Sequence, residues 1–164
     1  MKTILTVFLL SLMTFAQDAP PAVVPPSSEG VMIVPIDAAR KGLEIARAAG
    51  AITVFNPAPA APVPADIYAL CDYVIPNETE AAALTGLPVD TEAQARKAGD
   101  ALLAMGARNA LITLGARGAL LHNASGSVLI ASFNAGKVVE TAGAGDAFVG
   151  AFAAALAEGM EPAA

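Results

Sequence analysis

Short apolar runs alternate with segments of helical spacing along most of this 164-residue chain. Each run is bounded by turn residues and is too short for a helix, so we predict strands there. The predicted strands cover residues 31–34, 52–55, 73–75, 110–114, 119–122, 127–131 and 137–139. The fifth and sixth are expected to form a hairpin around the turn at residues 123–126.

Four segments with helical spacing have recognisable start signals. The expected starts are, in chain order, Asp37, Asn77, Thr91 and Ala144. Asn77 and Thr91 are each followed three residues later by Glu80 and Gln94, which is the spacing of a capping box. Strands that alternate with helices of this length predict an α/β fold with a largely parallel sheet and helices on both faces.

Residues 1–30 differ from the rest of the chain. Lys2 precedes an apolar run over residues 4–15, and the small residue Ala16 follows, as in a secretory signal peptide. The run is too short for a comfortable membrane span. Residues 18–30 are rich in proline and serine and predict an extended linker. We therefore expect a signal-like leader with a linker at 1–30 and a folded domain at 31–164.

Composition narrows the chemistry that this chain can perform. Hydrophobic residues make up 55% of the chain and the net charge is −6 with nine Lys and Arg, which argues against binding to nucleic acid. The chain has one cysteine, Cys71, and one histidine, His122, so neither a disulfide nor a zinc site is expected. A small phosphate ligand remains compatible with this charge, because backbone N–H groups can hold it.

The best candidate site is the turn Gly143-Ala144-Gly145-Asp146 before the last helix. The two glycines let the backbone approach a ligand closely, and the first amides of the helix have no partner within it. The helix dipole adds partial positive charge, so the turn is suited to a phosphate. The carboxylate of Asp146 can then accept the proton of an attacking hydroxyl.

A plain helix cap is the alternative for the same four residues, because glycines followed by an acidic residue often begin a helix without any ligand. The helix, predicted over residues 144–158, carries Phe148 and Phe152 on one face and small residues elsewhere. This composition predicts a closely packed, buried helix that would hold the turn firmly.

Residues 141–148, TAGAGDAF, resemble the signature of the ribokinase (PfkB) family of carbohydrate kinases. The resemblance implies that Asp146 is the catalytic base. It also implies that Gly143, Ala144 and Gly145 form the anion hole for the transferred phosphoryl group. The fold that it implies is the three-layer ribokinase fold, in a truncated form.

Three further segments follow in the order of that family. Asn77 and Glu80 match its Asn-x-x-Glu motif, which implies ATP binding by Asn77 and Mg²⁺ and phosphate handling by Glu80; a capping box remains the alternative role. The nucleotide-contacting strand and loop are implied at Thr113, Leu114, Gly115, Ala116, Arg117 and Gly118, with an ordinary strand end as the alternative. Residues 56–60, NPAPA, resemble a segment typical of ribokinases and favour ribose as the substrate.

Several positions depart from the family pattern. A site for a monovalent cation, K⁺, is implied at Glu140 and Ala142, but Glu140 stands where the family commonly has Asp. Ile33 and Val34 precede Pro35 where the family usually has Glu before Pro. The N-terminal portion that carries the sugar motifs and the lid has no counterpart here. We therefore expect little or no sugar kinase activity from this chain alone and no lid-mediated homodimer.

The resulting hypothesis is an ATP-dependent and Mg²⁺-dependent transfer of phosphate to ribose, giving ribose 5-phosphate. The alternatives are another sugar kinase of the family, such as a fructokinase, and a nucleotide-binding remnant without catalysis. The use of ATP favours a cytoplasmic location, and the segment 1–30 leaves export as the alternative. No stable membrane span is expected.

Overall fold

The computed structural model describes residues 4–8, 35–133, 136 and 143–162. Within this part, six strands form one sheet in chain order. They are β1 (Ile4–Phe8), β2 (Ile52–Asn56), β3 (Tyr73–Val74), β4 (Asn109–Thr113), β5 (Ala119–Asn123) and β6 (Gly126–Ile130). The first four are parallel, and β5 is antiparallel to both of its neighbours, β4 and β6. The predicted hairpin and the largely parallel sheet are therefore confirmed.

Five helices accompany the sheet in the described part. They are α1 (Ile36–Ala48), α2 (Ala65–Ala69), α3 (Glu78–Thr85), α4 (Glu92–Ala104) and α5 (Ala144–Ala157). Both predicted capping boxes, at the starts of α3 and α4, are present. The prediction that Asp37 caps α1 is wrong: Pro35 is the cap residue, and Asp37 lies in the first turn, where its charge favours the helix dipole.

Alternate residues along the strands face two separate hydrophobic cores. On one face, Phe55, Val74 and Ile112 pack against residues of α1, α2, α3 and α4. On the other face, Val54 and Leu111 pack with Val149 and Leu156, which belong to α5. Because successive side chains of a strand point to opposite faces, this alternation gives three layers, as predicted.

The prediction of a buried last helix is wrong. Among the 14 residues of α5, Val149 and Leu156 are buried, whereas Phe148 and Phe152 are half-buried and most of the others are exposed. The physical reason is that α5 contacts the sheet through one stripe of side chains. Within that stripe, the ring of Phe152 meets the ring of Tyr73 edge to face at 5.0 Å.

Several predictions lie at or beyond the limits of the described residues. The predicted strands at 31–34 and 137–139 lie outside them, as does most of the segment 1–30. Residues 4–8 of that segment form β1, which pairs in parallel with β2. The leader interpretation stays a prediction. In the described part of the chain, we find no helix long and apolar enough to cross a membrane.

Candidate active site

Three polar residues meet where the parallel strands end. Asn56 ends β2, Asn77 follows β3, and Thr113 ends β4. Since parallel strands end at the same edge of a sheet, the topology brings these side chains together at the edge that binds ligands in open α/β folds. A parallel bridge joins Asn77 to Thr113, and the Thr113 N–H donates to the carbonyl of Pro76 at 3.0 Å.

The start of α3 is held by a reciprocal capping box. The Glu80 N–H donates to Asn77 Oδ1 at 2.8 Å, and the Asn77 N–H donates to Glu80 Oε2 at 2.8 Å. The capping role that the spacing allowed is therefore present. It holds Glu80, which is only 8% exposed, at the edge of the site.

The connection from β4 to β5 is a tight turn with little freedom. Gly118 has φ of +103°, and a Cβ atom added there would come within 1.9 Å of the Ile130 carbonyl oxygen. The Leu114 N–H donates to the carbonyl of Gly118 at 2.8 Å, and the Ser132 hydroxyl donates to the carbonyl of Ala116 at 2.6 Å. Glycine is required at position 118 because β6 passes directly against it.

The beginning of α5 has open space in front of it. Gly143, the N-cap residue, has a left-handed conformation with φ of +74° and has no side chain to cap the helix. A Cβ atom added at Gly143 or Gly145 would meet no atom of the described residues within 4 Å. Asp146 lies in the first turn and is exposed. The amide end of α5 and this carboxylate therefore border the same free space.

These elements enclose two cavities that share Asn77, Thr113 and Gly145 in their walls. The larger, of about 660 Å³, is also lined by residues from the turn after β4, the end of β6 and the first turns of α5. The smaller, of about 120 Å³, is also bordered by Asp146, Glu80 and several neighbours. The arrangement offers room for an extended ligand beside a confined space with a carboxylate.

The candidate residues fall into four groups. Asn77, Thr113, Gly115, Gly118, Ala144 and Gly145 line the larger cavity, and Gly143, Glu80 and Asp146 line the smaller one. Leu114 is buried in the core, Ala116 is exposed, and the guanidinium of Arg117 binds Glu78 and the carbonyl of Asp90. None of these three side chains lines a cavity. Glu140 and Ala142 lie outside the described residues, and their role in cation binding stays a prediction.

Sequence reasoning missed several residues of these walls. Asn56, predicted only as part of a family segment, lines the smaller cavity while its amide donates to the Ile75 carbonyl at 2.6 Å. Ser132, Phe133 and Phe148 line the larger cavity. The position of Asn56 at a strand end could have indicated it, whereas no local pattern distinguishes Phe133.

The single cysteine and the single histidine take no part in this site. Cys71 is fully buried, and burial raises the pKa of its thiol to about 12, so it is inert as a nucleophile. His122 lies on the hairpin as expected, but it is buried against Gly99 of α4 and contacts Asp100 and Ser127.

Burial, followed by the nearby charge of Asp146, raises the pKa of the Glu80 carboxyl above its ordinary value of 4.5, and the bond from the Asn77 N–H opposes the shift. Two acidic groups thus share the smaller cavity. In the described part of the chain, no cluster of three or more His, Cys, Asp or Glu side chains could hold a metal ion by itself. A divalent ion held mainly by phosphate oxygens needs only one or two protein carboxylates. Glu80 borders the smaller cavity, and its role in Mg²⁺ handling stays a prediction.

The raised pKa of Glu80 predicts a pH-dependent cost in stability. Because the folded protein favours the protonated carboxyl of Glu80, this group stabilises the fold fully below its unfolded-state pKa of 4.5. That stabilisation is lost as the pH rises through the higher pKa of the folded state. Glu80→Gln has no titrating group at this position, so the loss of stability with pH is absent. The cap is expected to survive, because a glutamine, Gln94, already accepts the equivalent backbone bonds at the start of α4. Denaturant unfolding of both proteins between pH 4 and 8 measures the difference. Parallel pH profiles for the two proteins would contradict the prediction.

Comparison with known proteins gives one consistent family. A family model described as pfkB family carbohydrate kinase matches residues 32–164. The chain is 37% identical over 123 residues to a ribokinase of Staphylococcus aureus and 39% identical over 121 residues to a deoxyribokinase of Salmonella typhi. These alignments cover 75% and 73% of this chain.

A solved structure shows the same fold. The Arabidopsis thaliana ribokinase complexed with ribose and ATP superposes with a TM-score of 0.75 and 30% identity, over 78% of this chain and 42% of that one. The alignments cover 40% of the Staphylococcus ribokinase and 39% of the Salmonella deoxyribokinase. The chain thus spans about two fifths of the length of the relatives that it matches.

Proposed function

Because this chain belongs to the pfkB family of carbohydrate kinases, we propose that its two cavities bind Mg-ATP and direct the γ-phosphoryl group to a hydroxyl of ribose. The observation that carries the proposal is that the amide end of α5 and Asp146 border a confined space beside a cavity large enough for a nucleotide. The two cavities share three residues, Asn77, Thr113 and Gly145. In this proposal these residues lie where the nucleotide meets the transferred phosphoryl group.

The chemistry follows from that placement. Asp146 takes the proton of the acceptor hydroxyl as the new oxygen–phosphorus bond forms and the bond to the bridging oxygen of ADP breaks. The amides of Ala144 and Gly145 stabilise charge on the phosphoryl oxygens. Mg²⁺ would supply further charge neutralisation on the phosphates, and Glu80 would help to hold it. Binding of K⁺ at Glu140 and Ala142 is also proposed.

Ribose is the acceptor that the relatives favour. The relatives described above are a ribokinase of Staphylococcus aureus and a deoxyribokinase of Salmonella typhi, and the solved Arabidopsis structure contains ribose and ATP. In this chain, Asn56 and Ala58 of the ribokinase-like segment border the smaller cavity, where an acceptor hydroxyl would arrive. Product formation from ribose, 2-deoxyribose and fructose under identical conditions tests this choice; a preference for fructose would overturn it.

A non-catalytic nucleotide-binding module is the second candidate. The larger cavity is lined by residues of α3, of the turn after β4, of β6 and of α5, whereas the chain aligns with only 40% of the length of the Staphylococcus aureus ribokinase. Mg-ATP binding measured by calorimetry together with an absence of transfer to any sugar would favour this candidate. With either function, the use of ATP favours a cytoplasmic location, and export remains the alternative. Mass spectrometry of the N-terminus from cells distinguishes the two, because an exported protein would lack the cleaved leader.

Gly145→Ala tests whether phosphates occupy the space in front of α5. The added methyl meets no atom in the described part of the chain, and alanine favours the helix by up to about 1 kcal/mol, so stability is expected to hold or rise. The methyl would project toward the bound phosphates and weaken Mg-ATP binding at least about tenfold, equivalent to about 1.4 kcal/mol. Titration calorimetry measures the affinity, and thermal unfolding measures the stability.

Gly150→Ala is the matched control on the same helix. A Cβ atom at Gly150 also meets none of the residues that the structure describes within 4 Å, but Gly150 lines neither cavity. It is expected to stabilise the helix without any effect on the nucleotide. If wild-type protein fails to bind Mg-ATP, or if both variants bind it as tightly as wild type, the proposed function loses its physical basis.

A further inference from the structure

The clearest unexplained feature beside the site is the side chain of Arg117. It lies in the 3₁₀ turn Gly115–Arg117, whose neighbours line the larger cavity, yet its guanidinium does not. One terminal nitrogen, Nη2, binds Glu78 Oε1, and the other, Nη1, donates to the Asp90 carbonyl at 2.8 Å. Arg117 thereby joins the turn after β4 to the start of α3 and to the connection between α3 and α4.

We infer that Arg117 and Glu78 form a positioning pair that sets the shape of the nucleotide cavity. This inference rests on the proposed function of that cavity and adds how its walls are held. Glu78 itself lines the cavity, and its Oε2 lies 3.9 Å from the place where a Cβ atom of Gly115 would be. The ion pair therefore links two of the cavity walls where they come close together.

The turn after β4 is fixed from both sides. Toward β6, Gly118 packs against the backbone of Ile130, and Ser132 binds the carbonyl of Ala116. Toward α3, the contacts of Arg117 hold it. A planar guanidinium is suited to two acceptors on different elements, since its donors have fixed directions. Removing it frees the α3 side of the turn while leaving the β6 side intact.

This role differs from that of an ordinary surface ion pair. The side chains of Arg117 and Glu78 are each 39% exposed, and exposed pairs contribute little to global stability. The chain contains a matched pair, Arg96 with Glu92, whose side chains are 39% and 44% exposed and which lies within α4, away from both cavities. The two pairs are alike in chemistry and exposure. They differ in that Arg117 and Glu78 join two elements of the cavity wall, whereas Arg96 and Glu92 join two turns of one helix.

The test compares Arg117→Ala with Arg96→Ala in the full chain. Titration with Mg-ATP is expected to show binding about three- to tenfold weaker for Arg117→Ala and unchanged for Arg96→Ala, the size of coupling seen between contacting residues. Arg117→Lys keeps the charge but not the two-pronged geometry, so it is expected to restore only part of the affinity.

Hydrogen exchange gives a second readout that does not require nucleotide. The amides of residues 115–118 are expected to exchange faster in Arg117→Ala than in wild type or Arg96→Ala, with little change in the melting temperature of either variant. If wild-type protein binds Mg-ATP and Arg117→Ala binds equally well with unchanged exchange, the positioning role is overturned while the proposed function stands. If wild type binds no nucleotide but the amides of residues 115–118 still exchange faster in Arg117→Ala, the proposed function fails. The role of Arg117 in holding the turn then remains.

Discussion

Asp146→Asn is expected to reduce phosphoryl transfer to ribose by about a hundred- to ten-thousandfold, the usual contribution of a positioned general base. The amide cannot accept the proton of the attacking hydroxyl, although it occupies nearly the same volume. Single-turnover transfer, with protein in excess over ATP, is the suitable measurement because it detects rates far below those of an ordinary kinase. A rate equal to that of wild type would remove Asp146 from the role of base.

The same substitution makes a second prediction about binding. Asp146 borders the smaller cavity where negative phosphate oxygens would lie, so removing its charge relieves repulsion and leaves Mg-ATP affinity unchanged or higher. Glu158→Gln is the matched control, since it makes the same change at the other end of α5. Weaker Mg-ATP binding by Asp146→Asn than by Glu158→Gln would contradict the placement of the phosphate.

Gly118→Ala is expected to cause the largest loss of stability, about 3–5 kcal/mol, because it combines two penalties. Its φ of +103° is strained for any residue with a side chain, and its Cβ atom would come within 1.9 Å of the Ile130 carbonyl oxygen. Since the obstructing atoms belong to backbone, no rotamer change relieves the overlap; β6 has to move. Urea unfolding measures the loss.

Gly126→Ala separates the two penalties. Gly126 also has positive φ, +133°, but a Cβ atom there meets no atom within 4 Å among the described residues. Gly126→Ala is therefore expected to lose about 1–2 kcal/mol of stability, the penalty for the strained φ alone. Equal losses for the two variants would show that β6 yields easily, and that the turn after β4 is less rigid than its contacts indicate.

Much of the fold followed from local patterns alone. The apolar run of β2, the hairpin of β5 and β6, and the capping boxes of α3 and α4 depend on neighbouring residues, so their periods and polar caps were sufficient. Two local predictions were wrong. Asp37 does not cap α1, and α5 is largely exposed, because apolar composition alone does not show how many neighbours a helix will have.

What the sequence by itself determined was the identity of the chemical groups: a glycine-rich helix start, the acidic residue Asp146, and a family resemblance that the comparison confirmed. Only the tertiary structure decided which of them meet. The parallel order of β2, β3 and β4 brings Asn56, Asn77 and Thr113 to one edge. Contacts over long sequence separation bind Arg117 to Glu78 and Asp90, so that its own side chain does not line the cavity. Such placements arise from the order of the strands in the sheet and from the crossover connections between them, which no local sequence pattern encodes.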